Sequence, residues 1–269
     1  MIGLDFTVII PVHNHHEMTY DLILDLDRAA RNLWLRNTKK TRLIIVDNGS
    51  TIPFSEFCSG REPPSYLQVK VIRNETNRLY SAAMNQGLAL VEDEHIVLLN
   101  NDTVVNGYFF TDLIRSMERN KCDLVGPVTN KCCGIQQIEE CTLSYPDRIT
   151  GKYRHDPYYF IKRYGAAPEV KWINGFCMCI SNKAFKTIGP LDEENYPLSG
   201  EEMDYCIRAR AAGFTLRVDP FIFVYHYKHV TGDSVDIDTG KAWGRGAGKI
   251  REMYPGFNPG DQFIKQEVE

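Results

Sequence analysis

The run Phe6-Thr7-Val8-Ile9-Ile10-Pro11-Val12 is short, β-branched and apolar without alternation, and it is followed over residues 17–34 by Leu22, Leu26, Ala29, Ala30 and Leu33 at helical spacing. A strand that is apolar on both faces must be covered on both faces, and a helix following it directly is the cover. The pattern then recurs. Residues 43–46, 67–72 and 95–99 read as further strands, with residues 82–91 as the helix between the last two. Such alternation constrains the chain to an α/β fold with a mostly parallel central sheet flanked by helices.

In a sheet of this kind the ligand crevice lies at the carboxyl ends of the strands. Three polar clusters follow the strands there: Pro11 to Asn14, Asp47 to Ser50, and Asn100 to Thr103. Each is also what an ordinary turn contains, because Asn, Asp, Gly and Ser accept turn conformations. The glycine fingerprints of dinucleotide and P-loop folds are missing. No G-x-G-x-x-G follows the first strand, and the Gly-rich stretch 240–249 has Trp243 where a Walker motif needs its first Gly and Ile250 where it needs Ser or Thr.

At 269 residues and 43% hydrophobic, the chain is large enough for one sizeable α/β domain or two fused lobes. Its net charge of -4 weighs against a nucleic-acid partner. No apolar run approaches the ~20 residues of a membrane span, and no basic segment precedes the N-terminal apolar stretch. These features predict a cytoplasmic protein without a transmembrane segment, leaving peripheral membrane association and oligomeric state open. Eight cysteines suit a reducing compartment. Cys177 and Cys179 read as one face of a strand, and Cys122, Cys132, Cys133 and Cys141 lack the paired spacing of a zinc site.

Taken in order, several segments resemble the inverting family 2 glycosyltransferases of the glycosyltransferase-A (GT-A) fold, especially the rhamnosyltransferase-like members. They are Val8 through Asn14, Ile45 through Thr51, Asn77 through Asn85-Gln86-Gly87, Leu98 through Asp102, Trp172-Ile173-Asn174-Gly175, Gly200-Glu201-Glu202-Met203-Asp204, and His226. The resemblance implies a Rossmann-like GT-A single domain. Its nucleotide-sugar half would span residues 1–106, its acceptor-binding and catalytic half 107–230, and a tail or lid 231–269. It departs from the family at Leu79, where a Gly is frequent, and at Glu202, where the usual pair is Glu-Asp.

The same resemblance implies a nucleoside diphosphate sugar donor, UDP- or dTDP-linked, and a hydroxyl acceptor. Pro11, Val12, Asn14 and Asp47 would contact base and ribose, with Asp47 accepting from a pyrimidine edge. Asn85, Asn101, Asp102 and Trp172 would lie along the donor. Asp102 would hold Mn2+ or Mg2+ with His226 or His229; Asn100 stands where the family has a first Asp, and such ions bind through one or two carboxylates plus substrate phosphates. Glu202 would be the general base that a weakly nucleophilic sugar hydroxyl requires, with Glu201 and Asp204 orienting base or acceptor.

Each assignment has a plainer counterpart. Asp47 can cap a turn, and acidic residues in a first helical turn ordinarily complement the helix dipole. The aromatic cluster Tyr153, Tyr158, Tyr159, Phe160, Tyr164 and Trp172 can pack a core or stack on sugars. Lys241, Arg245, Lys249 and Arg251 can close over a diphosphate or form a solvated face. The expected activity is sugar transfer with inversion by single displacement. A sugar-nucleotide nucleotidyltransferase is the alternative enzyme class, but its glycine- and arginine-rich first loop is not what Val12-His13-Asn14-His15-His16 offers. The joint presence of Asp102, Glu202 and His226 argues against a catalytically silent sugar-nucleotide or glycan-binding domain.

Overall fold

The computed structural model describes residues 4–37, 39–138, 157–227 and 238–264; Cys141, Tyr153 and His229 lie outside them. Strand β1 (Phe6–Val12) leads to α1 (His16–Asn37), β2 (Thr41–Asn48), the short α2 (Phe54–Phe57), β3 (Leu67–Asn74), α3 (Leu79–Leu88), β4 (His95–Leu99) and β5 (Thr103–Val104). Then come α4 (Phe109–Asn120), β6 (Leu124–Val128), α5 (Tyr158–Tyr164), β7 (Cys177–Ser181), α6 (Asn182–Ile188), α7 (Glu201–Ala211), β8 (Leu216–Phe223), β9 (Tyr225–His226) and α8 (Thr239–Met253).

Seven strands form one sheet in the order β3-β2-β1-β4-β7-β6-β8. The halves divided at residue 106 therefore share a single sheet. Successive residues of each strand face opposite layers: Val8, Ile10, Leu43 and Ile45 pack with Leu22, Leu26, Phe109 and Phe110, while Ile9, Ile44 and Val46 pack with Ala83, Met84, Met203 and Tyr205. This two-sided burial is why the strands read as continuous apolar runs. Strands β1, β2, β3 and β4 are mutually parallel, so their polar carboxyl ends open onto one rim.

Strand β7 runs antiparallel to both neighbours, pairing His95 with Ser181 and Leu124 with Ile180. Cys177 and Cys179 face one layer, and Met178 and Ile180 the other. The aromatic run over residues 221–225 is divided in the structure. Its first part completes β8 in the main sheet, and Tyr225–His226 leave to pair with β5. Part of the C-terminal region is integral to the body: Gln262, 2% exposed, donates to Gln136 and to the Trp172 carbonyl and accepts from Ile135 N–H.

Candidate functional site

The small β5–β9 ladder pairs Thr103 with His226, and the Tyr227 N–H donates to the Asp102 carbonyl at 2.9 Å. This fixes two side chains distant in sequence against each other, with Asp102 Oδ1 3.3 Å from His226 Nε2. His226 Nδ1 lies 3.0 Å from the Lys131 carbonyl. A carbonyl can only accept, so Nδ1 carries a proton, and Nε2 is left facing the carboxylate. Nε2 and the carboxylate can then both point lone pairs at a shared cation. The imidazole is further oriented by Phe176, stacked at 5.1 Å and 18°, and by Asn130, which accepts from the His226 N–H at 2.8 Å.

An octahedral ion with bonds of about 2.1 Å has neighbouring ligands about 3 Å apart, close to the observed separation. Carboxylate plus imidazole is a donor set suited to Mn2+ and acceptable to Mg2+. No cluster of three or more His, Cys, Asp or Glu side chains that could hold a metal occurs among the described residues. The protein would thus supply two ligands and leave positions for phosphate oxygens and water.

Glu201 and Glu202 open α7 behind Gly200, whose φ is +94°. Their carboxyls hydrogen-bond each other. Burial, and then the neighbouring charge of Glu202, push Glu201 well above the usual carboxylate range. Burial also raises Glu202, but first-turn backbone N–H groups and the bond from Glu201 counter it. Burial thus raises both carboxyls, and the pair is disposed to share a proton. Glu201 Oε2 and Glu202 Oε2 are both buried with no hydrogen-bond partner among the described residues.

The segment Gly175-Phe176 joins the two pairs. A Cβ on Gly175 would lie 3.6 Å from both Glu201 Oε1 and Glu202 Cβ, while Phe176 stacks on His226 and its carbonyl accepts from Asn100 N–H. Tyr80 donates its hydroxyl to the Gly175 carbonyl at 3.1 Å. Burial, then the charges of Glu201, Glu202 and Asp102, raise its phenol well above the ordinary value. Sequence reasoning missed Tyr80, Asn130 and Lys131; only the position of Tyr80 within the Asn77–Gly87 stretch hinted at a role.

Several of the expected ligands have structural partners in this conformation. The Asp47 carboxylate is wholly buried and accepts from Ser50 N–H (3.2 Å), Phe54 N–H (2.8 Å) and Arg73 (2.8 Å). Burial opposes its ionisation, but these bonds prevail and hold it below the usual carboxylate range. In this conformation Asp47 anchors a loop and does not present an oxygen to a base. Asn85 latches the Leu191 backbone in both directions, through Leu191 O and N–H at 2.9 Å each. Trp172 is 2% exposed within the core. Asn101, 3% exposed, donates to Thr19, and Val12 is 1% exposed. Asp204 pairs with Arg208 at 2.8 Å and accepts from the Tyr254 hydroxyl, so it ties α7 to the end of α8.

Pro11 and Asn14 remain half-buried on the rim. Asn14, at φ +57°, donates its N–H to Ser50 and accepts from Thr51 N–H, coupling the first two loops. Asn48 joins them to α3 by accepting from Asn74 and Arg78 N–H and donating to Asn77 and the Leu79 carbonyl. Gly49 has no substitute here: at φ +79°, a Cβ would meet Asn77 N and Thr76 C at 2.6 Å. Leu79 itself is left-handed, at φ +65°, where the family frequently has Gly. Of the aromatic cluster, Phe160 is buried and Tyr164 packs between it and Phe263, while Tyr158 and Tyr159 are exposed.

The fold and this arrangement have counterparts among known proteins. The structure is similar to a mannosyltransferase from Pyrobaculum calidifontis in complex with GDP-Man and Mn2+ (TM-score 0.59, 11% identity, 95% of this chain and 76% of that one). It is also similar to residues 1–349 of S. aureus TarS in complex with UDP-GlcNAc (TM-score 0.55, 17% identity, 82% of this chain and 58% of that one). Both are GT-A glycosyltransferases, and the shared fold is that one. In sequence, the chain is 27% identical over 192 residues to the low-salt glycan biosynthesis hexosyltransferase Agl10 of Haloferax volcanii, covering 68% of this chain and 58% of that protein. Curated relatives run longer to different degrees, the chain spanning from 24% to 85% of their lengths. The sequence profile of "Glycosyl transferase family 2" matches residues 7–189, through the β1, β2 and β4 loops and the Trp172–Gly175 segment. That match covers well over half of the chain, which therefore belongs to glycosyl transferase family 2.

Proposed function

We propose that the protein transfers a sugar from a nucleoside diphosphate sugar to a hydroxyl acceptor with inversion, by single displacement. The observation that carries this is the opposition of two pairs across Gly175-Phe176: Asp102 with His226, and Glu201 with Glu202. Asp102 and His226 are the residues that would hold Mn2+ or Mg2+, which when bound would supply positive charge to the leaving diphosphate. Glu202 accepts the acceptor hydroxyl proton through its unpartnered Oε2, and Glu201 donates to Glu202 and keeps it oriented. Attack on the anomeric carbon forms the new C–O bond as the bond to the diphosphate breaks, which inverts the configuration. Pro11 and Asn14 support the nucleoside at the rim, with Asp47 and Asn48 ordering the loops beneath. UDP- and dTDP-sugars are the donors that the resemblance to the rhamnosyltransferase-like members favours.

The test is donor turnover by the wild type with nucleotide sugars, measured with Mn2+, Mg2+ or EDTA and followed by NMR of the product anomer. Metal-dependent turnover giving the inverted anomer is expected, and Asp102→Ala should lose it while keeping the wild-type circular dichroism. Turnover indifferent to EDTA, or a retained anomer, would sink the proposal.

A further inference from the structure

Between the loop that enters α7 and the face of α8 lies a cavity of 530 Å³. Leu79, Glu194, Ser199, Arg245, Gly246 and Lys249 are among its walls. Ala242, Arg245, Gly246 and Lys249 fall at i, i+3, i+4 and i+7 of α8, so a single stripe of the helix faces it. That stripe combines two small residues, which leave room, with two cations. Gly246 has to be small: a Cβ there would meet the Ser199 carbonyl oxygen at 2.4 Å. Arg245 and Lys249 are like charges one helical turn apart, a spacing that destabilises a helix unless an anion lies between them. The negative groups around them are Glu252, 3.5 Å from Lys249, Asp238, which acts on Arg245 from the start of α8, and Glu194 on the opposite wall.

The position of the cavity indicates what its occupant does. Ser199 directly precedes Gly200-Glu201-Glu202, and Leu79 adjoins Tyr80, whose hydroxyl bonds the Gly175 carbonyl beside those carboxyls. The cavity therefore shares its walls with the segments that lead into the carboxyl pair and Tyr80. We infer that the cavity binds a phosphate-type oxyanion carried by the sugar acceptor, held by Arg245 and Lys249. This rests on the glycosyltransferase reading and adds the chemical class of the acceptor.

The test compares wild type with the double variant R245Q/K249Q, and with K241Q as a control on the same helix. Inorganic phosphate and glucose 1-phosphate are titrated calorimetrically in EDTA, which removes metal-mediated binding at Asp102 and His226. Co-sedimentation with phosphatidylcholine vesicles, with and without phosphatidic acid, asks whether the same oxyanion is read on a lipid. The double variant should bind at least about tenfold more weakly than wild type and K241Q, as expected for lost charge-assisted contacts. Its affinity for UDP in Mn2+ should stay within about twofold of wild type. Loss in the soluble arm points to a phosphorylated soluble acceptor and loss in the vesicle arm to a lipid-borne one; each supports the inference. Equal binding by wild type and double variant in both arms overturns it. So does a weakened UDP affinity in the double variant, which would assign the cations to the donor. Failure of the underlying reading would show separately, as absence of donor turnover by the wild type.

Discussion

Glu202→Gln is the sharpest perturbation of the site, because it retains the shape and hydrogen-bonding reach of the side chain while removing its capacity to take a proton. Burial raises both carboxyls of the pair above the usual range, so they are disposed to share a proton. Glu202 and Glu201 each keep a buried oxygen without a hydrogen-bond partner among the described residues, so the two variants must be compared in the same assay. A positioned general base contributes about 10²–10⁴-fold, so kcat should fall by that factor with donor Kd nearly unchanged. Glu201→Gln still donates a hydrogen bond to Glu202 but removes the titrating neighbour. It should cost less than about tenfold in kcat, a smaller loss than a missing base produces.

The pH response separates the two roles. A raised carboxyl makes the folded state bind protons more tightly than the unfolded one. Stability from Glu201 is therefore full below its unfolded value and is lost as pH rises through its elevated folded value. Glu201→Gln removes that loss and should raise Tm at neutral pH but not at pH 4. Wild-type kcat should show an acidic limb, since Glu202 must be ionised to act. The assay is initial-rate transfer between pH 5 and 8, with donor binding measured alongside by calorimetry. Retention of more than about a third of wild-type kcat by Glu202→Gln, or a flat profile over that range, would refute the reasoning, because neither is compatible with a general base.

Gly246→Ala should destabilise by about 1–3 kcal/mol, lowering Tm by several degrees and reducing kcat, because its Cβ collides with Ser199 O next to the catalytic helix. Gly244→Ala and Gly248→Ala meet open space and should instead be neutral or stabilising by up to about 1 kcal/mol, so equal effects at all three in a thermal melt would contradict the docking of α8. Asp47→Ala leaves two loop N–H groups without their acceptor while the exposed Arg73 returns to water, and should cost about 1–3 kcal/mol for each stranded N–H in urea unfolding. A variant of wild-type stability with weakened donor binding would return Asp47 to direct contact with the base. His226→Ala should weaken Mn2+ binding at least about tenfold by electron paramagnetic titration, and unchanged affinity would exclude it as a ligand.

The sequence by itself determined the layers and the rim. Continuous apolar runs such as residues 6–12 and 95–99 can only be strands covered on both faces, and the structure places both with those bounds. The residues bounding them, Pro11 to Asn14, Asp47 to Ser50 and Asn100 to Thr103, converge because parallel strands put their carboxyl ends on one edge. The ordered motifs likewise pointed to the family that the sequence profile identifies.

Which polar residues face a ligand was decided only in three dimensions. A turn Asp looks the same in sequence whether its oxygens point outward or, like those of Asp47, are consumed by Ser50, Phe54 and Arg73. The same holds for Asn85 and Asp204, whose partners are the Leu191 backbone and, for Asp204, Arg208 on α7 and Tyr254 just past α8. Trp172 belonged to a motif, yet burial of a large ring in the core took precedence over exposure to a sugar. The direction of β7 and the departure of Tyr225–His226 from the main sheet depend on non-local pairing, which no local periodicity encodes. That departure brings His226 to Asp102 across more than a hundred residues, because backbone hydrogen bonds between β5 and β9 hold the two segments in register.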